Sequence, residues 1–289
     1  MITALFAAGL ALAPLPVTYN ALPAVAMTIS QPGAAPPGAN DWACQSDKRP
    51  VVLLHGTHAN MAINWNTLSP LLKNNGYCVF ALNYGNLRAD QVGGTGPIED
   101  SGAELSQFVD RVRAAKGKSE VDLVGHSQGG LLAQYYVKFL GGAQKVHDVV
   151  GLAPTSHGSD AAGQNRWIWS LLQIFPALEG LISATDPAVL QQLRGSAFMD
   201  QMNATPDVVA GVRYTTIATR YDGTVTPYQS QFLEGGRNIV LQDLCGNDFA
   251  DHLALAFDHV ALREVLNALD PPNAGAPDCS TPVWPLLGG

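Results

Sequence analysis

The sequence predicts an α/β protein built on a mostly parallel, doubly wound sheet with a helical, cap-like insertion. Three observations carry this: short apolar runs rich in β-branched residues, helical spacing between them, and Gly or Pro at the junctions. The runs are "PVVLLHG" from Pro50, "YCVFALNYG" from Tyr77, "VDLVGHS" from Val121, "VHDVVGLAP" from Val146, "RYTTIATRYD" from Arg213 and "RNIVLQD" from Arg237. Each is apolar on both faces, as strands covered by helices on both sides must be.

The intervening segments read as helices. In "EDSGAELSQFVDRVRAAKG", Leu105, Phe108, Val109 and Val112 recur at spacings of three and four, which puts them on one face. "QGGLLAQYYVKFLGG" repeats the pattern and stops at Gly141 and Gly142. "DHVALREVLNALDPP" starts on an Asp258 cap and ends at two prolines. Between the fourth and fifth runs, residues 155–206 form the expected insertion. Trp167, Trp169, Ile174, Phe175 and Leu178 make it more apolar than a surface helix. A cap over a ligand cleft and a packed helix pair both fit that pattern.

Charged residues make up 14% of the chain and the hydrophobic set 47%, as in a globular protein rather than a disordered one. A net charge of -8 argues against nucleic acid as a partner. Residues 1–26 carry no Asp, Glu, Lys or Arg, hold an apolar stretch from Ile2 to Ala13 and close on Ala24-Val25-Ala26, so they read as a secretory signal. Pro14 and Pro16 argue against a transmembrane helix. Residues 27–41 read as a flexible Pro/Gly/Ala linker, and 42–289 as the catalytic domain.

The cysteines at 44, 78, 245 and 279 suit two disulfides in an oxidising compartment. Zinc is disfavoured, because no C-x-x-C pair occurs. Of three connectivities, the expected one joins Cys44 to Cys78 and Cys245 to Cys279. In the chain-entropy view each bridge contributes roughly 3 to 4 kcal/mol.

"VDLVGHSQGG" places Ser127 between Gly125 and Gly129, after a strand and before a helix, the context of a nucleophile elbow. A hydroxyl needs a base to take its proton, and the base needs an acid to orient it. Asp222 closes the fifth run in "TTIATRYDG" and is the candidate acid. Of seven histidines, His252 and His259 lie after the last strand. His259 would open the last helix, whereas His252 sits in the loop before it, freer to approach the serine, so His252 is the preferred base. The candidate oxyanion donors are the backbone amides of Gln128, after the nucleophile, and of Thr57, in "HGTHAN" after the first strand, with His58 as runner-up.

The blocks "VVLLHGTHANMAINWNTLSPLLKNNGYCVFALNYG", "GTGPIEDSGAELSQFVDRV", "VDLVGHSQGG", "YDGTVTPY" and "DHLALAFDHVAL" together resemble the secreted actinobacterial lipases and esterases of the class 2 lipase family, over about residues 41–272. There is a more distant likeness to the small Bacillus lipases. The resemblance implies an α/β-hydrolase fold, hydrolysis of carboxylic esters including acylglycerols, Ser127 as nucleophile, Asp222 as acid, His252 as base, and the Thr57 and Gln128 amides as oxyanion donors. His58 stands where the family commonly has an aromatic residue.

The expected mature protein is thus a secreted monomer that needs no metal or organic cofactor and acts on small-molecule or lipid esters, including esters at a lipid-water interface. Two alternatives remain at this stage. An acyltransferase would use the same acyl-enzyme, and a non-catalytic binding protein would use the same fold.

Overall fold

A computed structural model describes residues 13–86, 92–160 and 184–286. Six strands form one sheet: β1 (Val51–Leu54), β2 (Val79–Leu82), β3 (Val121–His126), β4 (Val146–Leu152), β5 (Arg213–Ala218) and β6 (Arg237–Val240). All pairings are parallel, in the order β2-β1-β3-β4-β5-β6. The chain starts inside the sheet, moves outward to β2, then returns to the other side of β1. That reversal opens a crevice at the carboxyl ends of β1 and β3, where sites form in such sheets.

Helices among the described residues are α1 (Leu22–Ser30), α2 (Met61–Trp65), α3 (Leu68–Asn74), α4 (Ile98–Lys116), α5 (Gln128–Phe139), α6 (Pro187–Gln191), α7 (Ala197–Asn203), α8 (Leu241–Leu244) and α9 (His259–Leu269). The period of two along β1 sorts its residues between two cores. Val52 and Leu54 pack with Leu105, Val109 and Leu131 of α4 and α5, while Val51 and Leu53 pack with Leu68, Leu72, Leu262 and Val265 of α3 and α9. Each such leucine is fully buried and contributes about 1.5 to 3 kcal/mol. As expected from the sequence, Asp258 caps α9, accepting from the Val260 amide at 2.8 Å.

At the amino ends of the strands, Arg49 bonds Asp122 at 2.7 Å and Asp148 at 3.2 Å, and Arg213 grips Asp148 through both oxygens at 2.7 and 2.6 Å. His147 lies beside this group, whose acidic members already have cationic partners. The two bridges join Cys44 to Cys78 and Cys245 to Cys279, the expected pairing.

Two regions carry contacts that the sequence reading does not include. The boundary at Ala26 falls inside α1, whose Ala24 is fully buried against Ala256 and Phe257. The stretch read as a flexible linker is pinned along the edge strand. Asn40 donates its backbone amide to Val79 (2.9 Å), and its side chain exchanges hydrogen bonds with the backbone of Ala81 (3.0 and 2.9 Å). A side-chain amide here supplies the strand-like pairing that a Pro-rich backbone cannot. Of the insertion, α6 and α7 are described. Trp167, Trp169, Ile174, Phe175 and Leu178 lie outside the described residues.

Candidate active site

β3 runs into Ser127 and α5 leaves from Gln128. Ser127 adopts φ 54°, ψ -123°, a conformation that costs an L-residue of order 1 to 3 kcal/mol. The turn is so tight that a Cβ on Gly125 would lie 2.2 Å from the Gly129 backbone, and one on Gly129 would lie 2.1 Å from the Leu54 carbonyl. Only glycine fits at either place. The Ser127 amide donates to the Leu152 carbonyl at 2.8 Å and fastens the bend to β4.

The serine opens into a cleft of about 610 Å³, which is also lined by Thr57, His126, His252 and Gln192. Asp222 lies behind His252. One carboxylate oxygen accepts from the amides of Thr224 and Val225, each at 2.8 Å. The other accepts from His252 Nδ1 and from Gln231 Nε2, again each at 2.8 Å. Burial works against the Asp222 charge, but the neighbouring His252, its hydrogen bond and the backbone amides outweigh it and hold the carboxyl below the usual carboxylate range. With Nδ1 committed to Asp222, Nε2 is the nitrogen left to exchange a proton in the cleft.

Thr57 follows the Gly56 turn after β1. Its hydroxyl oxygen accepts from Gln128 Nε2 at 3.0 Å and from Gln192 Nε2 at 2.9 Å. Gln128 is also tied to the Gly94 carbonyl at 2.8 Å, and Gln192 receives the Thr155 hydroxyl at 3.0 Å. A hydroxyl has two lone pairs and one proton. Here two amide donors take the lone pairs, which leaves the proton to donate elsewhere.

Behind these groups, His126 bonds the backbone carbonyl of His252 through Nε2 (2.9 Å) and faces Asn64 Oδ1 through Nδ1 (3.1 Å). The same Asn64 oxygen accepts the Gly56 amide at 2.9 Å. The loop after β1 and the loop of His252 therefore both lie against one buried imidazole. Burial, reinforced by His252, pushes the His126 pKa down to about 3, so the ring is neutral. His55 is buried and stacked on Tyr84, with its pKa pushed down to about 4 by burial, and it holds the Gly56 carbonyl at 2.8 Å.

The remaining histidines are occupied elsewhere. His58, at the cleft mouth, pairs with Asp186. His157 pairs with Asp207 at 2.9 Å, and His147 with Asp148 at 3.0 Å. His259 bonds the Asp278 carbonyl at 2.8 Å in a separate groove of about 770 Å³ beneath the C-terminal tail. Thus Ser127, Thr57 and His252 line one crevice, with Asp222 behind His252 and Gln128 next to Ser127, and His259 stands apart from it. Gln231, Gln192 and Asn64 were not foreseen. Isolated amides in loops and short helices carry no pattern that marks them.

A profile of the family Lipase (class 2) matches residues 48–246. A triacylglycerol lipase from Pseudarthrobacter phenanthrenivorans is 30% identical over 174 residues, 58% of this chain and 50% of that protein. A triacylglycerol lipase from Burkholderia plantarii is also 30% identical over 174 residues, 45% of its own length. The chain spans about half the length of the curated relatives it matches. Aspergillus fumigatus lipase B superposes with a TM-score of 0.66 at 20% identity, over 88% of this chain and 61% of that one, a likeness of fold that agrees with the α/β-hydrolase arrangement above. The profile covers more than half of the sequence and spans Ser127, Asp222 and the loop after β1, and on that ground the chain belongs to the class 2 lipase family.

Proposed function

We propose that the protein is a secreted serine hydrolase of carboxylic esters, acylglycerols among them. Its triad would be Ser127, His252 and Asp222. The observation that carries this reading is the buried His252 Nδ1 to Asp222 contact of 2.8 Å, formed behind a cleft onto which the strained Ser127 opens. The route needs no metal or organic cofactor. Two disulfides support an oxidising, extracellular setting.

In the first half-reaction His252 Nε2 takes the Ser127 proton as Oγ attacks the ester carbonyl, and the carbonyl π pair moves onto oxygen. The oxyanion receives the backbone amides of Thr57 and Gln128, together with the Thr57 hydroxyl proton that the two glutamine amides leave available. Collapse expels the alkoxide, which leaves as the alcohol with the proton from His252. Water then repeats the sequence on the acyl-enzyme and releases the acid, with Ser127 restored. Asp222 stays ionised and stabilises the imidazolium of each step. Exposed Leu253 and Leu286 at the cleft wall suit approach from a lipid-water interface.

Hydrolysis of p-nitrophenyl butyrate and of tributyrin tests the reading. Ser127→Ala and His252→Ala are each expected to lower kcat by about 10³-fold or more, while His259→Ala retains activity. A Ser127→Ala enzyme as active as the parent would end it.

A further inference from the structure

The helix α1 lies where the sequence reading places the end of a removable signal, yet it is built into the crevice. Ala21 and Val25, one helical turn apart, line the same cleft as Ser127 and His252. Between them Ala24 is fully buried against Ala256 and Phe257, on the turn that follows the His252 loop. The segment ahead of α1 is fastened as well. Leu15 exchanges two hydrogen bonds of 2.8 Å with the Asn74 side chain, and the Thr67 hydroxyl donates to the Thr18 carbonyl at 2.7 Å. Asn66 contacts the Met27 sulfur at 3.3 Å. All these partners belong to α3 or the turn before it.

From this packing we infer that residues from Leu15 onward stay with the working enzyme, where α1 forms one wall of the acyl-binding cleft and Ala21 and Val25 set which acyl chains fit. The inference rests on the ester-hydrolase reading for its acyl group, and on packing alone for the retention of α1. Its chemistry suits an alkyl chain: residues 1–40 contain no Asp, Glu, Lys or Arg. Cleavage after Ala26 would split α1 and remove Ala21, Ala24 and Val25 together. A chain that begins at or before Leu15 keeps every contact described above in place.

The test has two arms on the full-length gene product expressed with secretion. Intact mass of the recovered enzyme is expected to place its first residue at or before Leu15. A folded, secreted protein beginning at Met27 overturns the inference. In the second arm the kcat/KM ratio of p-nitrophenyl dodecanoate to acetate is measured. Val25→Trp is expected to lower that ratio by about tenfold or more, the scale of discrimination a pocket wall exerts on a chain, and Val25→Ala to shift it the other way. Leu22→Trp, on the 78% exposed side of the same helix, keeps the parent ratio. Val25→Ala guards against a tryptophan that fails to fold, and parent ratios in both Val25 variants overturn the assignment. Because the mass arm needs no ester to be cleaved, failure of the hydrolase reading and failure of the retained helix give different results.

Discussion

Gln231 donates its side-chain amide to the same Asp222 oxygen that accepts His252 Nδ1, each at 2.8 Å. The glutamine is fully buried on the 3-10 turn Tyr228–Gln231, so it is a second fixed donor to that oxygen beside the imidazole. Replacing it with leucine leaves that oxygen one donor short. Loss of one such hydrogen bond inside a protein costs about 1 to 3 kcal/mol, and a fall in thermal midpoint checks it. The Asp222 pKa is depressed in the folded state, so its contribution to stability is present above the unfolded value and is lost as pH falls through the folded one. Gln231→Leu weakens the depression, and acid unfolding should therefore begin at a higher pH than in the parent.

The Thr57 hydroxyl separates two kinds of oxyanion donor. Thr57→Val keeps the backbone amide and the shape but deletes the proton held in place by Gln128 and Gln192. If the hydroxyl meets the oxyanion, kcat should fall by about 10²-fold with little change in KM, and Thr57→Ser should recover most of it. Loss in the serine variant with activity kept in the valine variant would instead mark a packing role for the methyl group.

Asp248 and Asp258 flank the loop that carries His252, and both are almost fully buried. Burial pushes both carboxyls above the usual range, the Asp248 charge pushes Asp258 further, and His259 nearby partly offsets the rise at Asp248. A carboxyl whose folded pKa is raised adds stability below its unfolded value, and that stability is lost as pH rises through the folded one. Asp258→Asn keeps an oxygen for the Val260 amide while removing a charge. The drop in thermal midpoint between pH 5 and pH 8 should therefore be smaller in this variant than in the parent. An equal drop in both would show that the pair does not govern the alkaline limb.

Most of the scaffold was legible from the chain because its signals are local and periodic. The six apolar runs, the spacing of Leu105, Phe108, Val109 and Val112, the Asp258 cap and the glycines around Ser127 each declare their structure within a few residues. The preference for His252 over His259 rested on loop against helix, and the two fall in different crevices. What stayed hidden depends on contacts distant in sequence. Gln192 meets Thr57 across 135 residues, and Gln231 looks like any loop glutamine until Asp222 is beside it. The N-terminal segment carries two readings for a physical reason: an uncharged apolar stretch ending in Ala-x-Ala is also what a helix needs to pack small residues against a hydrophobic surface.

The central claim is that Ser127 forms the covalent bond to the acyl group, and a phosphorylating ester reads this directly because it stops at the first covalent adduct. After treatment with diethyl p-nitrophenyl phosphate, mass spectrometry should find one diethylphosphoryl group per chain, on the peptide containing Ser127, at the rate at which ester hydrolysis disappears. A fully inhibited enzyme carrying its adduct on another residue, or an enzyme that stays active with Ser127 modified, would contradict the account.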